Sequence, residues 1–197
     1  AVLVGGDLPT VVLDADNNIP AAVIGSNKFE DSEKQHIVNS SFTAKGNPRT
    51  SVTTTATYVP EVKNAAGVVT APAKWVLDSE KTVNSTYDGK GNALTQDITT
   101  RTAVLVAGDL PVITLDNGMI DMKTLPALED SEKQHIVNSN FTPKGNPRKS
   151  VTTTATYVPE VKNAAGVVTA AAKWVLDSER TVNSTYDGKG NALTQDI

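Results

Sequence analysis

A chain of 197 residues with 18 basic and 22 acidic side chains carries a net charge of -4, which gives no general attraction to nucleic acid or to an anionic lipid surface. The absence of cysteine excludes disulfide frameworks, thiolate metal sites and thiol nucleophiles, and no apolar run approaches the roughly 20 residues of a membrane span, so no membrane insertion is expected. With 39% hydrophobic but only 5% aromatic residues, any core must rest on Val, Ile, Leu, Ala and Thr methyl groups, and is thin.

The opening AVLVGGDLPTVVLD reads as two β-branched runs around Gly5-Gly6-Asp7-Leu8-Pro9, a hairpin signal. Asp14, Asp16 and Asn18 then carry the alternate spacing of half a calcium loop. Ile19 stands where that loop needs Gly and no Glu closes it, so a solvated turn is expected. The polar EDSEKQH at 30–36 has the composition of one short helical turn. KQHIVNSSF, the turn Lys45-Gly46-Asn47-Pro48 and TSVTTTATYVPEV form a second hairpin rich in β-favouring Thr and Val. Strand parity there puts Val52, Thr54, Ala56 and Tyr58 on one face, the core side, and Ser51, Thr53, Thr55 and Thr57 on a hydroxyl-bearing opposite face. Ala65-Ala66-Gly67 marks a turn before VVTAPAKWVLDSEKTVNSTY. Asp88-Gly89-Lys90-Gly91-Asn92 marks the next, before ALTQDITTRTAVLV. No long stretch keeps an apolar helical period, so the fold class predicted is all-β, with antiparallel sheets, little helix and about six strands per unit.

The unit occurs twice. Glu30 to Ile98 overlies Glu129 to Ile197 without a gap at a period of 99, differing only at Ser41/Asn140, Ala44/Pro143, Thr50/Lys149, Pro72/Ala171 and Lys81/Arg180. Val2 to Asp14 matches Val104 to Asp116 at a spacing of 102, and the intervening 15–29 and 117–128 have diverged. These boundaries predict repeat unit 1 over 1–98, a short joint at 99–102 and repeat unit 2 over 103–197, two units held close together by so short a joint. The divergent segment is expected where the surroundings of the two units differ.

Catalytic signatures are missing. His36 and His135 are one position in two copies and lack His or Cys partners for a metal site or a triad. No nucleophile elbow, phosphate-binding loop or dinucleotide fingerprint occurs. The chain is therefore expected to be no enzyme and to need no cofactor. Lys45, Arg49, Lys144, Arg148 and Lys149 lie in or beside the second-hairpin turn, and Lys74 and Lys173 precede Trp75 and Trp174. Basic groups next to a Thr-rich sheet can contact phosphates, and they serve equally as ordinary turn and edge charges that discourage aggregation.

The order VLVAGDLPVITLD, PALED, FTPKGNPRKSVTTTATYVPEV and NAAGVVTAAAKWVLDSERTV resembles the coat protein of small single-stranded RNA bacteriophages. It covers about four fifths of copy two, and copy one shows the same order without PALED. The resemblance implies a fused dimer whose sheet lines an icosahedral shell and binds a genomic RNA hairpin. By position, the RNA-facing residues would be Thr54 and Tyr58 or their alternate-face neighbours, with Lys45 and Arg49 near the start of that strand, and in copy two Thr153, Tyr157, Lys144 and Arg148, with Lys74 and Lys173 as further basic candidates. Members of that family end in helices, whereas TVNSTYDGKGNALTQDI is polar and turn-rich.

Two functions are expected from these residues. The first is a self-assembling capsid protein of a virion, its partners being further copies of itself and single-stranded RNA. The second is a repeat segment of an extracellular adhesin, surface-layer or filament protein, for which near-identical, Cys-free, Thr- and Val-rich repeats are the signature.

Overall fold

The computed structural model describes Val2–Leu3, Phe29–Glu30 and residues 32–197. The opening hairpin turn and the Asp14–Asn18 segment lie outside the described residues. In chain order the strands are β1 (Val2–Leu3), β2 (Phe29–Glu30), β3 (Glu33–Phe42), β4 (Pro48–Val59), β5 (Val62–Lys63), β6 (Val69–Ala71), β7 (Lys74–Tyr87) and β8 (Ala93–Ala103). They continue with β9 (Val112–Ile113), β10 (Leu115–Asp116), β11 (Met119–Ile120), β12 (Leu128–Phe141), β13 (Pro147–Val158), β14 (Val161–Lys162), β15 (Val168–Ala170), β16 (Lys173–Tyr186) and β17 (Ala192–Asp196). No helix occurs among the described residues, and all strand pairs are antiparallel, so the predicted all-β class holds. In place of the helical turn expected at 30–36, Glu33 to His36 are strand, drawn into a ladder with Thr54 to Thr57.

The long hairpins turn by one local rule. At 43–47, 64–68 and 88–92, and again at 142–146, 163–167 and 187–191, the first residue exchanges backbone hydrogen bonds with the fourth and fifth. The fourth residue is in each case a glycine at positive φ, from 76° to 91°. This is the three-residue loop closed by a left-handed residue, which only Gly adopts without strain. Thr43, Asn64 and Asp88 each lead their turn and accept the fifth residue's N–H on a side-chain oxygen, at 3.1, 3.0 and 2.8 Å. The glycines read as turn markers in the sequence are therefore the residues that set strand register.

The two repeats share one sheet. Its order is β17-β16-β13-β12-β8-β7-β4-β3, with β9 beside β7. β8 pairs with β7 of the first repeat over Ser79–Tyr87 and with β12 of the second over Leu128–Val137. The expected joint, 99–102, lies inside β8. What the repeat pattern predicts as two sheet units is thus one continuous sheet, with its seam between β8 and β12. The fourth long strand of one repeat meets the first long strand of the next, so the units are related head to tail.

Among the described residues few side chains are fully buried, in keeping with the thin core expected from the low aromatic content. The core lies where residues 104–127 cross the β3-β4-β7 face. Ala103, Ile113 and Ile120 pack there on Ala56 and Leu77, with Trp75, Leu110, Leu115, Leu125 and Leu128 at the margin. β9 fixes the crossing through Trp75↔Ile113 and Val76↔Val112, and Pro111 accepts the Leu77 N–H at 2.9 Å. Asn117-Gly118 closes β10-β11 with both residues at positive φ, the two-residue turn that Asn-Gly favours. Parity on β4 is as predicted: Thr54 and Ala56 are fully buried. The second repeat thus supplies the cover for the first repeat's sheet.

Candidate functional site

The predicted RNA-facing residues do not converge. Lys45 belongs to the turn at one end of β4, and Arg49 begins that strand. Tyr58 pairs with Trp75, and Lys74 with Val59, at the other end. Ten residues of extended chain separate Arg49 from Val59, about 33 Å. Thr54, between them, is 0% exposed and has no surface for a ligand; its hydroxyl finds no partner among the described residues. Thr153, the same position in the second repeat, is half-buried.

Each cluster has its own electrostatics. Lys45 and Arg49 border a hollow of about 320 Å³ with Thr43, Tyr87 and Asp88. Asp88 accepts backbone N–H groups from Lys90 and Asn92, both at 2.8 Å, and the Asn92 amide at 2.7 Å. The Asn92 backbone bond is the largest cause holding its carboxyl below the usual aspartate range. Asp187 is lowered in the same way, chiefly by the Asn191 side chain. In the second repeat Lys144 lies in the equivalent turn, against Gly190, and Arg148 lies at the start of β13. At the far end Tyr58 tilts against Trp75 with ring centroids 5.3 Å apart, under Lys34 at 5.0 Å. Tyr157, Trp174 and Lys133 repeat this at 5.2 and 4.4 Å. Tyr157 also borders a hollow of about 470 Å³ lined by Glu129, Asp130, Glu160 and Arg101, an acidic setting unsuited to phosphate. Lys74 and Lys173 open β7 and β16.

The seam holds the groups that single-residue reasoning missed. His135 Nδ1 lies 2.6 Å from Asp97 Oδ1, and Asn138 donates its side-chain N–H to the Ala93 carbonyl at 3.1 Å. Arg101 donates to the Leu128 carbonyl at 3.0 Å and lies 3.5 Å from Glu80 and 3.7 Å from Asp130. It ties β7 to β12 across β8. The turns at the Lys45 end stand side by side: Asn47 donates to the Gly91 carbonyl at 3.2 Å, and Asn146 to Gly190 at 3.1 Å. Between them, Gly145 approaches the Asn92 carboxamide so closely that a Cβ would overlap its oxygen. The signal available in the sequence was the repeat itself, since Ala93, Asp97, His135 and Asn138 each have a twin one period away, although Arg101 has none.

Among the described residues no group of three or more His, Cys, Asp or Glu gathers to hold a metal ion, and no helix is long and apolar enough to cross a membrane. No protein-family model, curated protein or solved structure matches this chain.

Proposed function

We propose that this chain is a structural, self-assembling repeat protein whose units add end to end in one continuing sheet, as a segment of a filament or surface fibre. The observation that carries this reading is the shared strand β8, which joins the last long strand of one repeat to the first of the next. Such a head-to-tail relation repeats from unit to unit and gives a filament wherever the rotation between units does not close a ring. A fused dimer of the coat-protein kind would be expected to join its halves about a two-fold axis, through the same surface of each. The scattered basic residues and the acidic hollow beside Tyr157 add no support for an RNA groove.

Electron microscopy of the expressed chain, together with its ultraviolet absorbance ratio, tests the reading. Rods or fibres free of nucleic acid are expected. Closed shells carrying nuclease-protected RNA would overturn it in favour of the coat-protein reading.

A further inference from the structure

We infer that the β17 end of the sheet is a socket for the leading end of a second copy of this chain, which docks by repeating the β8-β12 seam. The inference rests on the filament reading and specifies its contact surface.

The internal seam supplies the template. β17 and Ile197 carry the sequence of Ala93–Ile98, and β3 carries that of Glu132–Phe141 but for Ser41/Asn140. Among the described residues the strand order of the sheet ends with β17 at one side and β3 at the other. Shifting the seam by the 99-residue period turns Asp97↔His135, Gln96↔Ile136 and Thr95↔Val137 into Asp196↔His36, Gln195↔Ile37 and Thr194↔Val38. The imidazole–carboxylate contact is reproduced, as is the bond from Asn138 to Ala93, now from Asn39 to Ala192. Gly46, the twin of Gly145, has no atom within 4 Å of its would-be Cβ, while Asn191, the twin of Asn92, is exposed. One is the space and the other the side chain that fills it.

The apolar face gives an independent argument. Leu77 is 0% exposed and Leu176 68%, one residue type at one repeat position. In the first repeat the cover is Val104–Ile120 from the next unit. A second copy carries at Val2–Asp14 the match to Val104–Asp116, ahead of the edge strand that would pair with β17, while the stretch holding Ile120 has no counterpart in sequence. Edge and face therefore call for the same occupant, arriving from the same side.

A Cys-free chain allows a direct test by oxidative cross-linking. Directly opposed cross-strand positions lie within disulfide reach. Thr95→Cys with Val137→Cys, across the internal seam, should lock within one chain and serves as the control. Thr194→Cys with Val38→Cys should give an open ladder of dimers, trimers and longer species. Chains carrying Thr194→Cys alone should cross-link to chains carrying Val38→Cys alone and not to themselves. A control that locks while the second pair stays monomeric would overturn the socket, and so would self-linking of either single variant. Leu176→Asp should weaken association about tenfold or more, since it charges a surface that docking buries. The isolated chain should still fold, Leu176 being exposed in it. Fibres that form with the wrong cross-linking pattern would remove the socket and leave the filament reading intact. A chain that remains monomeric in sedimentation at about 1 mM would remove both.

Discussion

Asp88 and Asp187 show how much of this fold is held by single polar side chains at its turns. Each carboxylate accepts backbone N–H groups and an asparagine amide, donors that favour the charged form. Their folded pKa values are therefore lowered. A group lowered on folding contributes stability that is present above its unfolded pKa, about 3.9 for Asp, and is lost as the pH falls through the folded value. Titration of the carboxyl carbons by NMR should place both aspartates below the ordinary value, with the 88–92 and 187–191 turns loosening only below about pH 4. Midpoints at or above the ordinary value would refute the assignment. Gly145 and Gly46 make a second residue-scale test. Both have positive φ, 87° and 82°, so alanine at either costs about 1–2 kcal/mol of backbone strain. Only at Gly145 does the new methyl also meet Asn92. Urea unfolding should therefore show Gly145→Ala as the more damaging change by about 1 kcal/mol or more. Equal losses would mean that the seam relaxes freely around it.

At the scale of the elements, the same leucine reports two environments. Leu77 on β7 is fully enclosed beneath residues 104–127, so Leu77→Ala should cost about 2–5 kcal/mol. Leu176 occupies the same place on β16 and is 68% exposed, so Leu176→Ala should stay within about 0.5 kcal/mol in the unassembled chain. Denaturant titration of the two variants checks the contrast; a large loss at Leu176 would show that its face is covered already. The contrast also marks what was legible in the sequence. Gly46, Gly67 and Gly91 announce the turns, because few other residues take their backbone angles, and alternation on β4 places Thr54 and Ala56 inward. Neither signal says which strand lies next door. A period of two specifies the buried face of a strand but leaves its neighbour to tertiary pairing. For that reason Thr99–Thr102 read as a joint between units rather than the middle of a shared strand. The same gap scattered the residues expected to face RNA: Lys45, Thr54 and Tyr58 lie close in sequence, yet along an extended strand and its turn they are spread from one end of the sheet to the other.

For the molecule as a whole, the duplication becomes an internal experiment. Residues 74–98 and 173–197 differ only at Lys81/Arg180, so the intrinsic exchange rates of their backbone amides are nearly the same. Any difference in protection must come from position in the sheet. The first stretch, β7 and the start of β8, lies between β4 and β12, with β9 paired to β7 and the core cover over Leu77. The second ends at the open β17 edge beneath an uncovered face. Sub-global opening is easiest where apolar contacts are fewest, so hydrogen exchange in dilute solution should be much faster over 173–197 than over 74–98. Association changes the order. If a second copy docks on β17, protection should rise over 192–197 and over 33–42 of the partner, and the exposed repeat should approach the behaviour of the covered one. Equal protection in dilute solution would contradict the asymmetric cover. A rise confined to like edges, β17 against β17 or β3 against β3, would replace the propagating sheet with a closed two-fold pair.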